Sequence, residues 1–320
     1  MRCIKCGQRA CFEIRRHRAA FCQEHLIEHL RNQVEKTIKK FKMFSPKDKI
    51  LAAVSGGKDS LALWDILLDL GYCTEGLYIH LGISSYSDKS HEMAEKFALS
   101  RGVPLYTVSL KEIFGEGMEY IARKTSKSFC SACGLIKRYI MNITAKLGGF
   151  DAIATGHNLD DETAALLGNV LRWQIGYLAR QSPNMPERGG LARKVKPLCR
   201  LTEREMAAYC IVKGIDYILD ECPMSRGATS LKYKETLNLL ESSSPGTKDQ
   251  FYLSFLERGQ RYFKPVEEEV ELKDCVKCDQ PTTVEMCSFC RQMERAGFDS
   301  LALKKSLKEL LSTKGNSFII

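Results

Sequence analysis

The fold of this chain is decided by the stretch from Ile50 to Leu70, ILAAVSGGKDSLALWDILLDL. Small and branched apolar residues are followed by a polar turn with two adjacent glycines, and a longer, mainly apolar run comes next. This order predicts a buried strand, a tight turn and a helix. The unpaired N–H groups and the dipole at the start of such a helix attract anions, so we expect the turn to bind phosphate.

The turn consists of Ser55, Gly56, Gly57, Lys58, Asp59 and Ser60. Its glycines let a phosphate approach the backbone, its hydroxyl groups add donors, and its lysine neutralises negative charge. Bound phosphate would repel Asp59 unless a cation lay between them, so this carboxylate indicates Mg²⁺. The spacing matches neither G-x-x-x-x-G-K-[ST] nor G-x-G-x-x-G, which excludes the two commoner nucleotide-binding loops.

A second polar segment, ATGHNLDDE from Ala154 to Glu162, joins another apolar run to a helix. Ligands of open α/β sheets bind at the carboxyl ends of the strands, where paired carboxylates suit metal binding or proton handling. Capping of the helix is the alternative role for either aspartate. We expect Gly156 and Asp161 to act in the site and Asp160 to cap the helix.

Apolar runs alternate with helical patterns between residues 49 and 264. Predicted strands are ILAAVS, EGLYIHLGI, VPLYTVSL, DAIATGH and KVKPL, with helices over HEMAEKFALSRG and LIKRYIMNITAKLGG. The alternation predicts an α/β fold with a Rossmann-like parallel sheet covered on both faces. We predict a metal module over 1–29, a basic linker helix over 30–48, a catalytic domain over 49–266 ended by the acidic run VEEEVE, and a second metal module over 267–320.

The cysteine pattern predicts two metal sites. Fourteen cysteines in a long chain that opens without a signal-peptide core argue against a disulfide scaffold and favour a cytoplasmic protein. Two sets of four soft ligands occur in pairs with zinc-site spacing: Cys3, Cys6, Cys22 and His25, then Cys275, Cys278, Cys287 and Cys290. Neither set leaves an open position, so we expect two structural Zn²⁺ ions that stabilise small modules.

A further pair, Cys130 and Cys133, lies inside the predicted α/β domain and opens a helix. It has no second pair nearby, so three explanations are open: a redox disulfide, half of a metal site, or two buried thiols. Cys222, in the sequence DECPM, is far along the chain, and its spacing by itself indicates nothing.

The positive charge is unevenly distributed. The net charge is +9, and residues 1–50 contain 13 Lys/Arg against 5 Asp/Glu, a net of +8. The stretch from Arg172 to Lys196 adds six basic residues with one acid, Glu187. Two basic patches suggest a polyanionic partner larger than a nucleotide, and a solvated surface without a partner is the alternative. No apolar run is long enough to cross a membrane.

The motifs SGGKDS, CSAC, TGHNLDD and ECP, in this order between two zinc-type cysteine sets, resemble the PP-loop ATP pyrophosphatases that thiolate tRNA. The whole chain resembles the TtuA-type tRNA-2-thiouridine synthetases, and the wider group includes the wobble-uridine thiolases. The resemblance implies that Cys130, Cys133 and Cys222 hold a [4Fe-4S] cluster and that the two cysteine sets hold zinc. It also implies ATP contacts along the loop and at Ala53, Ile79, Lys137 and Gly156.

The resemblance implies adenylation of a uridine C2 oxygen by ATP with Mg²⁺, followed by attack of sulfur and departure of AMP. Asp59 and Asp161 are expected to assist, and three cysteine ligands would leave one iron open for sulfide. The implied partners are tRNA, a ubiquitin-like thiocarboxylate protein as sulfur donor, and a second copy in a homodimer. The expected target is uridine 54. The alternatives are uridine 34, a cluster-free persulfide route at Cys130 and Cys222, and a non-catalytic zinc module that binds RNA.

Overall fold

The structure is a computed structural model that describes residues 1–125, 127–225, 227, 229–264 and 272–312. A six-stranded sheet forms its centre, in the order β5-β4-β3-β6-β8-β7. All neighbouring pairs are parallel except β7 with β8. The sheet strands are β3 (Ile50–Val54), β4 (Thr74–His80), β5 (Leu105–Ser109), β6 (Ala152–Thr155), β7 (Asn184–Met185) and β8 (Lys194–Val195).

Two small antiparallel ribbons lie near the chain ends, β1 (Phe12–Ile14) with β2 (Ala19–Phe21), and β9 (Lys273–Asp274) with β10 (Pro281–Thr282). The helices are α1 (Gln23–Lys40), α2 (Lys58–Asp69), α3 (Ser84–Arg101), α4 (Leu110–Phe114), α5 (Met118–Arg123), α6 (Phe129–Leu147), α7 (Leu159–Leu171), α8 (Ile175–Arg180), α9 (Glu203–Lys213), α10 (Thr229–Ser243), α11 (Thr247–Ser254), α12 (Ser288–Ala296) and α13 (Ser300–Ser312).

The predicted α/β architecture is confirmed, including all five strands and the helices between them. The basic helix, predicted as a linker over 30–48, is α1 and runs over Gln23–Lys40 instead, because Cys22 adopts the extended backbone of an N-cap. The antiparallel edge strand β7 was not predicted, since two residues give no periodic signal. The predicted acidic boundary VEEEVE and the last part of the predicted second metal module, residues 313–320, lie outside the described residues.

The sheet divides the apolar core between its two faces, because side chains alternate along each strand. On one face, Leu51 and Ile153 pack with α6, α12 and α13. On the other, Ile50 and Ala152 pack with α1, α2, α7 and α9. Each chain end therefore supplies helices to a different face of the same sheet. In the described part of the chain, no helix is both long and apolar enough to span a bilayer.

Candidate active site

The predicted phosphate turn, Ser55 to Ser60, lies at the carboxyl end of the central strand β3 and runs into α2. The hydroxyl of Ser60 closes the turn, because it accepts from the amide of Ser55 at 3.0 Å and donates to the carbonyl of Gly57 at 2.9 Å. Gly56 has φ +74°, and a Cβ there would collide with the carbonyl of Ser90 on α3. Both constraints require glycine at this position.

The second motif packs directly against this turn. A Cβ on Gly156 would lie 2.9 Å from the Asp59 carbonyl carbon and from the Ser60 amide nitrogen, so only glycine allows this contact. Asn158 caps α7 and also donates from Nδ2 to Asp59 Oδ1 at 3.0 Å. This hydrogen bond joins two residues that are 99 positions apart in the sequence. The two motifs therefore form one surface at the carboxyl edge of the sheet.

The prediction that Asp160 caps its helix is wrong. Asn158 is the N-cap, and Asp161 completes a capping box by accepting from the Asn158 amide at 3.1 Å. Asp160 is buried and points away, where it pairs with Lys248 and accepts from the Glu203 amide at 2.7 Å, at the start of α9. The carboxylate thus stabilises the beginning of a different helix, which sequence spacing cannot indicate.

Three carboxylates and two ammonium groups surround the turn. Lys58 lies 2.6 Å from Glu203 and 3.3 Å from Asp59, while Lys234 lies 2.6 Å from Asp161 and 3.4 Å from Glu203. Burial raises the pKa of the Asp59 carboxyl, against the opposing effects of Lys58 and the Asn158 hydrogen bond. The group carries one more negative than positive charge, so a divalent cation fits its charge balance.

Glu203, Lys234 and Asn158 were not predicted as site residues. Glu203 lies between Thr202 and Glu205, which form a T-x-x-E capping box. Such a box indicates in the sequence where a helix begins, but it does not indicate which residues lie near that helix. Lys234 gives no local signal, because it is an ordinary lysine on α10. Asn158 lies inside the quoted motif and could have been identified as the N-cap by its position before the helix.

A cavity of about 390 Å³ opens beside the turn. It is lined by many of the residues expected to contact ATP or assist the reaction: Ala53, Ser55, Asp59, Ser60, Ile79, Lys137, Gly156 and Asp161. Gly56, Gly57 and Lys58 belong to the adjoining turn and are not among the lining residues. Tyr86 and Met141 complete one wall. Residues from four separate parts of the chain thus converge on one concave site.

Cys130, Cys133 and Cys222 lie in one region next to this cavity. The first two are in the opening turn of α6, and the Cys130 thiol lies 3.6 Å from the carbonyl of Met224, close to Cys222 in the chain. Cys222 packs against the same apolar cluster that contains the buried Cys133. We name these residues the three-thiol group.

The three-thiol group and the cavity are connected in two ways. Lys137, which lines the cavity, follows Cys133 by one turn on the same side of α6, about 6 Å along the axis. The segment that leads to Cys222 is fixed to the phosphate turn, because Ile218 donates its amide to the Gly56 carbonyl at 3.0 Å. The two sites therefore share structural supports.

The N-terminal metal group, Cys3, Cys6, Cys22 and His25, places its ligand atoms within 4.8 Å of one another. So does the C-terminal metal group, Cys275, Cys278, Cys287 and Cys290. Adjacent sulfurs lie 3.7 Å apart in Cys6/Cys22 and Cys278/Cys287, and 3.9 Å apart in Cys275/Cys290. Ligands around a tetrahedral zinc with bonds of about 2.3 Å lie roughly 3.8 Å apart, so both sets fit zinc.

The ligand atoms of the three-thiol group do not all lie within 4.8 Å of one another. Among the described residues, only the two four-ligand groups are that compact. The cysteines of a cubane cluster bind different irons, so they lie further apart than ligands of a single ion. A wider set of three thiols is therefore unsuited to one zinc ion and compatible with a cluster.

The predicted basic stretch, Arg172 to Lys196, is divided by the fold. Lys196 forms an ion pair with Glu162 at 2.7 Å, and Arg193 donates to the Met43 carbonyl at 3.1 Å. The other three arginines, at 172, 180 and 188, are exposed. Arg16 in the N-terminal basic region is also buried in ion pairs. Only part of the predicted positive surface is therefore available to a polyanion.

Comparison with family models gives two matches. Residues 27–227 match the PP-loop domain, and residues 2–27 match the N-terminal LIM domain of 2-thiouridine synthetase TtuA. Among curated proteins, the chain is 49% identical to a tRNA-5-methyluridine(54) 2-sulfurtransferase of Thermus thermophilus, covering 92% of this chain and 91% of the relative. It is 46% identical to the protein of the same name from Pyrococcus horikoshii, with 91% and 93% covered.

Among solved structures, the fold is similar to a U34-tRNA thiolase, NcsA, from Methanococcus maripaludis, which contains a [4Fe-4S] cluster. The TM-score is 0.78 with 24% sequence identity, over 92% of this chain and 96% of the other. At this identity the likeness establishes the fold. It confirms that the sheet and the terminal modules form a known arrangement.

Proposed function

The chain belongs to the family of TtuA-type tRNA 2-thiouridine synthetases, and from this membership we propose that it replaces the C2 oxygen of uridine 54 in tRNA with sulfur. The observation that carries the proposal is the joining of a PP-loop cavity to three thiols through α6 and the Gly56–Ile218 hydrogen bond. An ATP site alone would suit many reactions, whereas an ATP site next to sulfur ligands suits activation followed by thiolation.

The phosphate turn binds and orients ATP. Its backbone N–H groups and the start of α2 face the phosphates, and Lys58 moves from its carboxylate partners toward the added negative charge. Asp59, held by Asn158, would hold Mg²⁺, and the cation would supply positive charge for the departing pyrophosphate. The uridine oxygen attacks the α-phosphorus and pyrophosphate leaves, so that C2 gains AMP as its leaving group.

The three-thiol group is placed to hold a [4Fe-4S] cluster, which, when bound, supplies an iron without a protein ligand for the transfer of sulfur. The residues of this chain bring that position to the activated base. Cys133 and Lys137 lie one turn apart on α6, so one helix joins the three-thiol group to the wall of the cavity. Sulfur attacks C2, the C–O bond breaks, and AMP departs with the original oxygen.

Asp161 is the residue placed to assist proton movement at the base. Its carboxylate lines the cavity and is held by two partners, the Asn158 amide and Lys234. Although burial lowers the pKa of Lys234, the carboxylates around it raise that pKa overall, so the lysine keeps its charge. The charged lysine fixes the Asp161 carboxylate beside the cavity, where an oxygen can accept a proton from the bound base.

The two metal groups hold one Zn²⁺ each and serve the fold, because four protein ligands leave no position for a substrate. We also propose the division into a metal module at 1–29, a linker at 30–48, a catalytic domain at 49–266 and a second metal module at 267–320. A ubiquitin-like thiocarboxylate protein delivers the sulfur, the enzyme is a homodimer, and it acts in the cytoplasm, as relatives named cytoplasmic tRNA 2-thiolation protein do.

The test is thiolation of an unmodified tRNA transcript under anaerobic conditions with ATP, Mg²⁺ and sulfide, followed by nucleoside mass spectrometry and position mapping. We expect 2-thiouridine at position 54 and one pyrophosphate released for each sulfur incorporated. A transcript with cytidine at that position should remain unmodified. Product at position 34 would identify a wobble-uridine thiolase, and full activity of iron-free protein would overturn the cluster-dependent route.

A further inference from the structure

Trp173, in the turn between α7 and α8, is unexplained by packing. Its side chain is 68% exposed, and its backbone has φ +49°, a conformation that is unfavourable for a bulky residue. Its amide donates to Val170 and its carbonyl accepts from Ile175, so the turn itself is well formed. Glycine or asparagine would suit this turn better, and burial gives tryptophan no compensating stability. A strained, exposed aromatic residue suggests a binding role.

Two further exposed aromatic side chains lie nearby, and each has an arginine beside its ring. Tyr177 follows Trp173 by four residues, is 62% exposed, and has the Arg180 guanidinium 5.8 Å from its ring centre. Tyr262 is 75% exposed, with the Arg261 guanidinium at 5.1 Å. Flat aromatic and guanidinium surfaces of this kind are the groups on which proteins stack unpaired nucleobases.

The segment 171–181, which contains Trp173 and Tyr177, is joined to the segment 258–264, which contains Tyr262, and both segments are positively charged. The side-chain amide of Gln260 donates to the carbonyls of Ala179 and Gln181, at 3.1 and 2.6 Å, which fixes the turn containing Tyr262 against α8. Residues 171–181 and 258–264 contain no acidic residue. They contribute five exposed cations, Arg172, Arg180, Arg258, Arg261 and Lys264, none of which forms an ion pair with another described residue.

This charge favours a nucleic acid over a second copy of the chain. In a two-fold symmetric interface the same patch meets itself, so the five positive charges would face one another without compensation. A phosphate backbone carries the complementary charge, and its unpaired bases carry the complementary flat surfaces.

On the basis of the proposed function, which makes tRNA the substrate, we infer that Trp173, Tyr177 and Tyr262 form a stacking platform for unpaired bases of the RNA. Helix α7 connects the platform to the reaction site, because Asp161 near its start lines the cavity and Leu171 ends it, about 15 Å away. Bases next to the target uridine can therefore stack on the platform while the target base enters the cavity.

Tryptophan fluorescence tests the platform directly. The chain has two tryptophans, and Trp64 is fully buried and donates to Thr74 at 3.1 Å, so a change on RNA binding reports Trp173. The full metal-loaded protein is titrated, without ATP or sulfide, with a hairpin RNA that has an unpaired loop and with a fully paired duplex of the same length. The hairpin should quench the emission of Trp173, and the duplex should not.

Variants separate stacking from charge. Trp173→Ala should bind the hairpin about 5- to 100-fold more weakly, a loss that persists at high salt, whereas Trp173→Phe should retain most of the affinity. Arg180→Gln should weaken binding at low salt and less at high salt, because its contribution is electrostatic. Ile211→Ala, which removes another exposed side chain on α9, is the matched control and should bind normally.

Unchanged affinity in Trp173→Ala, or equal quenching by the duplex, would refute the platform. A change in sedimentation of Trp173→Ala without loss of RNA affinity would also refute it and identify this face as an interface between copies. Quenching by the hairpin in a protein that never thiolates tRNA would refute the proposed function and still support the platform, so the two failures are distinguishable.

Discussion

The two metal groups share the same spacing within each ligand pair, but their pairs are separated by 15 and 8 residues and their surroundings differ. In the C-terminal metal group all four cysteines are buried, whereas Cys6 of the N-terminal metal group is exposed and His25 is half-buried. Phe289, between two C-terminal ligands, stacks on Tyr139 of α6 with ring centres 3.6 Å apart. The N-terminal metal group instead leads into α1, whose apolar side packs on α2 and α9.

Each metal group is connected to a different part of the candidate active site. The C-terminal group supports α6, and Gln292 of α12 donates to the Ala132 carbonyl beside Cys133, in the three-thiol group. The N-terminal module is joined to α9 by Arg16, which lies 2.8 Å from Glu205, two residues after Glu203 at the phosphate turn. The C-terminal metal group therefore supports the helix that carries two of the three thiols, and the N-terminal module supports the helix that contacts the phosphate turn.

The largest effect is expected from Cys278→Ala. Loss of a ligand to the proposed structural zinc would remove much of an apparent binding free energy of roughly 10–16 kcal/mol. The four cysteines of this group lie inside the apolar cluster shared with α6. We expect loss of one zinc and of stable folding, measured by metal analysis and thermal denaturation. Val276→Ala, an exposed residue in the same loop, is the control. If Cys278→Ala kept wild-type stability with only one zinc bound, the expected role of the C-terminal metal group in supporting α6 would be contradicted.

A crossed pair of variants separates the two halves. Asp59→Asn keeps the shape of the turn but removes the cation ligand, so pyrophosphate release and thiolation should stop while iron content is unchanged. Cys222→Ala should lose iron and thiolated product while ATP still binds. Cys73→Ala, an exposed cysteine in neither group, is the control for both. Normal turnover by Asp59→Asn would exclude the proposed role of this turn.

Arg16→Met should destabilise the N-terminal side without removing its metal. The Arg16 side chain is 5% exposed, and its loss leaves the buried Glu205 and the partly exposed Asp249 without their cation, at a cost of about 3–5 kcal/mol. The measurement is urea denaturation with zinc and iron analysis, and both metals should remain. Arg15→Met, at the neighbouring and largely exposed arginine, should be nearly neutral. Loss of iron in Arg16→Met would show that the two halves are not independent.

The smallest stability effect is expected at Asp161. Asp161→Ala removes the capping box and should cost about 1 kcal/mol, whereas Asp161→Asn keeps an acceptor oxygen and should cost less. If the carboxylate assists the reaction, single-turnover thiolation should fall by about a hundredfold in both variants, with iron content unchanged. Normal rates in Asp161→Asn would assign this residue to the cap alone and remove it from the chemistry.

Much of the fold could be predicted because its signals are local. The turn after β3, the strands of the sheet and the start of α6 each depend on residues close together in the sequence, and the structure confirms them. The edge strand β7 was missed because two residues contain no periodicity, and the role of Asp160 was wrong because two adjacent aspartates have the same local signal. In the structure, Asn158 is the N-cap of α7 instead.

The sequence by itself determined the two metal groups and the phosphate turn, because each pair of ligands and each glycine acts within one turn of backbone. Tertiary structure alone decided the partners that complete the site. Glu203 reaches Lys58 across 145 residues, and Lys248 reaches Asp160 across 88. It also brought Met224, two residues after Cys222, beside Cys130. Contacts over such separations depend on how the sheet and helices pack together, and a local pattern contains no information about that packing.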